Sequence, residues 1–208
     1  MKRGAPANPF SVRFHQPGAL PFHFRENESA RGLWQRFVEA DRRGEIVGSH
    51  GTGKTTLLRT LEETARATGE EILTITLHNG ERWPTALLRM FTRPSPPAAP
   101  QTLILDGAEQ LAPVAWQALR LGLRLRCRGL LVTTHRPLGL PLLYRTSIDH
   151  ERANWVVRQV LAQNPGLPAL VGLDSLPEAL QACRGNLREV LFRLYDLYEE
   201  RYSAYRGL

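Results

Sequence analysis

One glycine-rich stretch has the residue types and spacing that suit phosphate binding: Gly48-Ser49-His50-Gly51-Thr52-Gly53-Lys54-Thr55-Thr56. It fits the pattern G-x-x-x-x-G-K-[ST], called Walker A, in which backbone N–H groups of a tight turn surround phosphate oxygens. Glycines are needed because the turn uses positive φ angles and the backbone approaches the ligand closely. We therefore predict that Gly48 to Thr56 bind the phosphates of a nucleotide.

Two side chains of this stretch have chemistry of their own. Lys54 is expected to reach the β- and γ-phosphates, where it serves both binding and catalysis, and the Thr55 hydroxyl to hold Mg²⁺. Lys54 is one of only two lysines, and a compact ammonium suits phosphates in a way that a forked guanidinium does not. The residues on either side of the loop support phosphate binding, because an apolar run precedes the loop and a predicted helix follows it, with its N-terminal dipole toward the phosphates.

A second candidate element is the apolar run Thr102-Leu103-Ile104-Leu105, which ends in Asp106. A buried strand that delivers a carboxylate about 50 residues after a phosphate loop is typical of Walker B, whose Asp serves Mg²⁺. Glu109 is the nearest following acid and the candidate base that positions water for hydrolysis. Its alternative role is that of an acid stabilised at a helix N-terminus.

The composition of the chain limits the other classes of protein to which it could belong. A chain of 208 residues with 42% hydrophobic content can bury one good core and a small appended subdomain. No run of 18 apolar residues exists and Met1-Lys2-Arg3 is not followed by an apolar stretch, so we expect no membrane span and no secretory signal. Cys127 and Cys183 lack a disulfide or metal framework, and we therefore expect a reduced, cytoplasmic protein.

The net charge of +7 makes a nucleic-acid partner possible but does not favour it. Of the 27 basic residues, 25 are Arg, which is typical of codon bias in a GC-rich genome. Arg120, Arg124 and Arg128 share one helical face, which is either solvated, an anion-binding patch, or a source of an arginine finger for a neighbouring subunit. We expect the partner to be another protein or a second copy of this chain.

The pattern of elements predicts an α/β fold with a parallel sheet covered on both faces, the three-layer arrangement of P-loop NTPases. The predicted strands are Glu45–Val47, Glu71–Leu77, Thr102–Leu105, Gly129–Thr134 and Leu142–Ile148. The predicted helices are Ser29–Ala40, the helix after the loop as far as Gly69, Trp83–Phe91, Pro113–Arg124, Ala153–Gln163, Leu176–Cys183 and Leu187–Tyr205; a proline-rich loop covers 93–100. We divide the chain into an irregular arm (1–28), a nucleotide-binding domain (29–150) and a helical lid (151–208).

The pairing of the loop with Asp106 resembles the additional-strand class of P-loop ATPases, which includes the AAA+ and STAND proteins. The resemblance covers roughly residues 8–200 and implies that Gly129–Thr134 lies between the strands that carry the two motifs. The polar end of that strand resembles sensor 1, which implies that Thr134 contacts the nucleotide.

Two segments resemble the NACHT members of the STAND branch. Asp106-Gly107-Ala108-Glu109-Gln110-Leu111 has their form of Walker B, with a small residue after the Asp and an acid three residues on. Thr133-Thr134-His135-Arg136-Pro137 is similar to their sensor strand, which implies that Arg136 senses the γ-phosphate.

The C-terminal part carries a further resemblance. Gly185-Asn186-Leu187-Arg188 is similar to the opening of the sensor 2 helix in origin-recognition-type AAA+ ATPases, which implies that Arg188 contacts the nucleotide. Asn8-Pro9-Phe10 resembles a segment upstream of the P-loop in several bacterial AAA+ proteins.

The sequence also departs from these families. AAA+ proteins place Glu directly after the Walker B Asp, whereas this chain has Gly107. The NACHT pattern has an acid where Gln110 stands, and His135 is an extra residue before Arg136. Leu187 replaces the proline of the STAND lid motif.

These observations predict a nucleotide-binding protein that binds ATP or ADP with Mg²⁺ and hydrolyses ATP as a conformational switch. The adenine contacts are expected from the arm and the lid. A small-molecule or nucleotide kinase is the first alternative, because the form of the loop and the size fit. A binding module that does not hydrolyse its nucleotide is the second.

Overall fold

A computed structural model describes residues 8–14, 19–78, 80, 102–123, 129–165 and 169–206. The predicted helix Trp83–Phe91, the proline-rich loop, Arg124, Arg128 and Cys127 lie outside the described residues. The chain divides into two compact units. The sheet unit comprises Phe24–Gly48 and Leu57–Thr146, and the lid unit comprises Met1–His23, Ser49–Thr56 and Ser147–Leu208.

The described residues of the sheet unit form a five-stranded parallel sheet, which confirms the predicted α/β class. The strands are β1 (Arg43–Val47), β2 (Ile72–Thr76), β3 (Thr102–Asp106), β4 (Gly129–Thr134) and β5 (Leu142–Arg145). Their spatial order is β2-β3-β4-β1-β5. Since β4 lies between β1 and β3, the predicted additional strand is present.

The central strands β3 and β4 are buried along their whole length, as continuous apolar runs in a parallel sheet should be. Their register pairs Leu103 with Leu130 and Leu105 with Val132. All strands are parallel, so Asp106 and Thr134 end their strands at the same edge of the sheet. This edge of the sheet therefore carries two of the candidate site residues, Asp106 and Thr134.

Helices α1 (Ala30–Glu39), α2 (Lys54–Ala67) and α3 (Pro113–Leu123) belong wholly or mainly to the sheet unit. Ser29 caps α1, because its side chain accepts a hydrogen bond from Gly32 N at 3.1 Å. In α3 the buried residues include Trp116 and Leu119, whereas Val114 is 71% exposed. The amphipathic sequence of this helix offers Val114 and Ala118 for the core as well as Trp116 and Leu119. That expectation is wrong for Val114 and Ala118, because α3 turns the face of residues 114, 118 and 121 outward.

The lid unit contains α4 (His150–Ala162), α5 (Leu176–Ala182) and α6 (Leu187–Arg206). Helix α4 begins three residues before the prediction, because the Asp149 side chain accepts a hydrogen bond from Arg152 N at 2.9 Å and caps it. In the described part of the chain, no helix is both long and apolar enough to cross a membrane.

The N-terminal arm contributes to the core of the lid unit. Phe10 is fully buried and Leu20 nearly so, and both pack with apolar residues of α4, α5 and α6. Asn8 donates from its side-chain amide to Tyr195 O at 2.9 Å and to Glu199 Oε1 at 2.8 Å on α6. The Asn-Pro-Phe segment therefore anchors the arm to α6 by hydrogen bonds and by burial of an aromatic ring.

A buried hydroxyl in the core of the lid unit destabilises the native state, because it has no hydrogen-bond partner among the described residues. Tyr198 on α6 is 2% exposed, and its hydroxyl makes no hydrogen bond within the described residues. Burial raises the pKa of this phenol, with the nearby Tyr202 and Glu199 adding to the effect. The native state therefore keeps Tyr198 protonated at a pH where the unfolded chain has begun to ionise it.

We predict that Tyr198→Phe raises the free energy of unfolding at neutral pH by about 1 kcal/mol, because it removes a buried hydroxyl without a partner. The parent should also lose stability as the pH rises above about 10, where the unfolded state binds fewer protons than the native state. Tyr198→Phe should lose less stability over the same rise in pH. Urea unfolding at both pH values measures this, and Tyr205→Phe is the control because Tyr205 is 59% exposed. Lower stability of Tyr198→Phe at neutral pH would contradict the prediction.

Candidate functional site

The loop between β1 and α2 has the backbone that its glycines predict. Gly51 and Gly53 adopt φ angles of 71° and 88°, which side-chain-bearing residues avoid. The Ser49 carbonyl accepts hydrogen bonds from the Thr52 hydroxyl at 2.8 Å and from Lys54 Nζ at 2.9 Å. Lys54 is 9% exposed and is the first residue of α2. The loop therefore places a largely buried ammonium at a helix N-terminus, an arrangement that suits anions.

Residues at the start of α6 lie against this loop within the lid unit. A methyl group added to Gly51 would overlap Oδ1 of Asn186, and it would lie 3.3 Å from the backbone nitrogen of Arg188. Asn186 also donates to Glu189 Oε1 at 2.7 Å across the first turn of α6. The segment that resembles the opening of a sensor 2 helix is thus a direct neighbour of the loop, although the Arg188 side chain itself is exposed.

Aromatic side chains of the lid unit also lie close to the loop. A methyl group at Gly53 would lie 3.5 Å from Cε2 of Phe22, a residue of the N-terminal arm. The Arg152 guanidinium lies 4.7 Å from the centre of the Phe22 ring, and His23 stacks on Trp155 with ring centres 4.8 Å apart. Nothing in the local sequence pattern distinguishes Phe22, His23 and Trp155 from core aromatics.

At the polar edge of the sheet unit, Thr133 holds the carboxylate of Asp106. The Thr133 hydroxyl accepts from Gly107 N at 2.8 Å and therefore directs its own hydrogen to Asp106 Oδ1, at 2.5 Å. Asp106 is 8% exposed and Thr133 is fully buried. The carboxylate is thus fixed in one orientation at the end of β3. Sequence reasoning named Thr134 but missed Thr133.

The chain turns at Gly107. The φ angle of Gly107 is 87°, and a Cβ there would lie 3.1 Å from Leu77 O. A glutamate directly after Asp106 would be strained in this backbone. The turn leads into a 3-10 helix, Ala108–Gln110, which carries Glu109, the next acid in the sequence after Asp106.

His135 connects Glu109 with the beginning of the loop. Its Nε2 lies 2.8 Å from Glu109 Oε1, and its Nδ1 lies 3.0 Å from Gly48 O. His135, which departs from the NACHT-like pattern, has polar contacts with Glu109 and with Gly48. Its sequence context offered no signal for either of them.

The segment after β4 is held by two further hydrogen bonds. The Thr134 hydroxyl is fully buried and donates to Arg136 O at 2.7 Å. The buried carboxylate of Glu45 on β1 accepts from Leu138 N at 2.8 Å. These bonds fix the backbone around Arg136, whose side chain is exposed.

A cavity of about 400 Å³ opens beside these residues within the sheet unit. Trp116 and Leu111 contribute apolar walls, and Glu109, Thr134, His135 and Arg136 contribute polar ones. The sheet unit therefore brings together Asp106, Glu109, Thr134 and Arg136 at one edge. The lid unit by itself brings Gly51, Gly53, Lys54 and Arg188 together.

Comparison with known proteins gives a likeness of fold. No protein-family model and no curated protein sequence matches the chain. Among solved structures, replication initiator DnaA bound to AMPPCP and single-stranded DNA is similar, with 17% identity, a TM-score of 0.55 and 83% of this chain covered. A DNA replication initiation factor (14%, 0.57, 85%) and AMPPCP-bound DnaA from Aquifex aeolicus (17%, 0.54, 88%) are also similar.

The matches cover 61%, 62% and 68% of those three chains, so this chain spans about three fifths of the first two. At this level of identity the comparison shows the fold alone. The chain has the α/β fold of the P-loop NTPases, which these neighbours share.

Proposed function

We propose that this chain binds ATP with Mg²⁺ at the loop Gly48–Thr56 and hydrolyses it as a conformational switch. The observation that carries the proposal is the loop itself: two glycines with positive φ angles and a largely buried lysine ammonium at the first turn of α2. Two of the structural neighbours are described as bound to AMPPCP, an ATP analogue, which supports nucleotide binding.

Thr55 and Asp106 are the residues that we assign to Mg²⁺. Mg²⁺ prefers hard oxygen ligands and is usually held by one or two carboxylates together with phosphates and water. Within the described residues no cluster of three His, Cys, Asp or Glu side chains could hold a metal ion alone. A single carboxylate oriented by Thr133 therefore fits Mg²⁺ that arrives with a nucleotide. The ion would neutralise charge on the phosphates.

The hydrolysis that we propose is transfer of the γ-phosphoryl group to water. The water oxygen forms a bond to the γ-phosphorus, and the bond from that phosphorus to the β–γ bridging oxygen breaks. ADP leaves with the electron pair of the broken bond. Glu109 accepts the proton that the attacking water loses, and Lys54 stabilises negative charge on the phosphates.

The adenine contacts are assigned to the arm and the lid, with Phe22, His23 and Trp155 as the residues. Phe22 lies beside Gly53 in the loop, and His23 and Trp155 form a stacked pair of rings within the same unit. Flat aromatic surfaces of this kind offer stacking to a purine base. We also assign a phosphate contact to Arg188, in the first turn of α6.

A kinase and a module that does not hydrolyse its nucleotide are the rival functions. Incubation with γ-labelled ATP, followed by thin-layer chromatography, separates the three. We expect labelled inorganic phosphate to appear without any added acceptor. Label that moves only to an added small molecule or nucleotide would support the kinase, and ATP that binds but stays intact would support the binding module.

Arg136 is proposed to sense the γ-phosphate. We predict that Arg136→Ala weakens ATP binding by about tenfold or more, because a charge-assisted contact to phosphate contributes about 1.5–3 kcal/mol. ADP lacks that phosphate, so its affinity should change by less than about twofold. Calorimetry with both nucleotides measures the difference. Arg158→Ala removes the same charge from the exposed surface of α4 and serves as the control. Equal losses for ATP and ADP would mean that Arg136 is structural only.

The proposed partner is another protein or a second copy of this chain, in the cytoplasm. A nucleic-acid partner is the less favoured alternative. Its support is the net charge of +7 and the single-stranded DNA bound to one neighbour. The dominance of Arg among the basic residues weakens the argument from charge.

A further inference from the structure

His135 lies between two hydrogen-bond acceptors. Its Nδ1 is 3.0 Å from the backbone carbonyl oxygen of Gly48, and its Nε2 is 2.8 Å from Oε1 of Glu109. The side chains of His135 and Glu109 are 24% and 20% exposed, so both are largely withdrawn from solvent. The contacts therefore join the start of the phosphate loop to the candidate base.

The chemistry of the two acceptors determines where the protons are. A carbonyl oxygen only accepts hydrogen bonds, so Nδ1 must carry a hydrogen. One further proton then lies between Nε2 and Oε1, either on the imidazole opposite a carboxylate or on the carboxyl opposite a neutral ring. Oε2 can accept a proton from water only when this shared proton is on Nε2, because Glu109 is then a carboxylate. A neutral ring protonated on Nε2 alone does not satisfy both contacts.

This arrangement leaves the two oxygens of Glu109 with different roles. Oε1 is occupied by His135, whereas Oε2 makes no hydrogen bond among the described residues. Oε2 is itself buried, and among the described residues it is the Glu109 oxygen whose capacity to accept a hydrogen bond is unused. Glu109 also lines the 400 Å³ cavity, together with His135 and Arg136, so the pair borders open space.

We infer that His135 is a positioning residue that holds Glu109 by Oε1, orients Oε2 to accept the proton of the attacking water, and ties this pair to Gly48 at the start of the phosphate loop. The inference rests on the proposed function, because it assigns a role within ATP hydrolysis. His135 acts through Glu109 and needs no contact with the nucleotide.

Two substitutions separate the two contacts of the ring. The amide nitrogen of Gln occupies a position close to Nε2, so His135→Gln can still donate to Glu109. The amide nitrogen of Asn occupies a position close to Nδ1, so His135→Asn can still donate to Gly48 but does not reach Glu109. We expect His135→Asn and His135→Ala to lower the turnover number for ATP by about tenfold or more. His135→Gln should retain most of the turnover.

The decisive measurement combines these variants with Glu109→Gln in a double-mutant cycle. We expect His135→Ala to change turnover by less than about twofold in the Glu109→Gln background, because its effect passes through Glu109. The affinity for ATP, measured by calorimetry, should stay within about twofold of the parent for every His135 variant. Thermal unfolding shows whether each variant is folded.

Nitrogen-15 NMR of the imidazole provides a test that does not need turnover. We expect Nδ1 of His135 to be protonated in the parent, and the Nε2 resonance to shift in Glu109→Gln. An unprotonated Nδ1, a loss of turnover that is equal in both backgrounds, or rescue by Asn but not Gln would each overturn the inference.

These outcomes are distinct from failure of the proposed function. If the parent binds ATP but releases no phosphate, hydrolysis and the role of His135 are both overturned. If the parent hydrolyses ATP and the cycle shows no coupling, only the role of His135 is overturned.

Discussion

Lys54→Ala is expected to abolish ATP binding or to weaken it at least about tenfold. The reason is that charge-assisted hydrogen bonds to phosphate contribute about 1.5–3 kcal/mol, and about 1.4 kcal/mol corresponds to a tenfold change in affinity. Lys54 is 9% exposed and lies at the N-terminus of α2, so water screens its charge poorly. Isothermal titration calorimetry with ATP and Mg²⁺ measures the loss directly.

The prediction needs a control for the loss of side-chain packing, since the Lys54 side chain is largely buried. Lys54→Met keeps the apolar stem, loses the charge, and should bind ATP as weakly as Lys54→Ala. Arg66→Ala removes a cation from the last turn of the same helix, where the side chain is 57% exposed, and should leave the affinity within about twofold. If folded Lys54→Ala bound ATP with the affinity of the parent, the loop would not be part of the nucleotide site.

The sheet was predictable because its strands are encoded locally. The apolar run Thr102–Leu105 precedes Asp106, and such a run between turn signals indicates a strand buried on both faces. The run Gly129–Val132, which precedes Thr133 and Thr134, gives the same indication. The position of β4 between β1 and β3 came from the family resemblance, since no local pattern contains the order of strands.

Element ends were less predictable, because they depend on caps. Helix α4 begins at His150 since Asp149 accepts a hydrogen bond from Arg152 N, whereas apolar periodicity alone placed the start at Ala153. An Asp before an apolar repeat is a recognised N-cap signal, so this start could have been read from the sequence. The outward orientation of Val114 could not be predicted from the sequence, because it depends on which side of α3 packs against the core.

The candidate site was predictable only as far as its motifs reach. Gly51, Gly53 and Lys54 follow from the loop pattern, since the backbone that binds phosphate requires those residue types. Thr133 was missed because its role depends on strand register: Leu105 pairs with Val132, which puts the next residues, Asp106 and Thr133, side by side. Contacts across long separations in sequence, such as that of Asn186 with Gly51, have no local signature.

Glu109 decides whether the chain is an enzyme, and its surroundings now allow a sharp test. Glu109→Gln should keep the affinity for ATP while turnover falls by about a hundredfold or more, since general base catalysis contributes about 10²–10⁴ to the rate. Gln has the same shape and its amide can hydrogen bond to Nε2 of His135, so the local fold should survive. Calorimetry and phosphate release under single-turnover conditions measure the two quantities separately.

Glu178→Gln is the matched control, because it makes the same chemical change at a carboxylate that is 82% exposed on α5. It should leave both affinity and turnover unchanged. The competing role for Glu109 is an acid that stabilises a helix N-terminus, which contributes about 0.3–1 kcal/mol to stability and nothing to the chemical step. Under that role Glu109→Gln would unfold at a slightly lower temperature and turn over ATP within about twofold of the parent. That outcome would leave Asp106 and Lys54 as phosphate-site residues, and the proton of the attacking water would have to pass to another group.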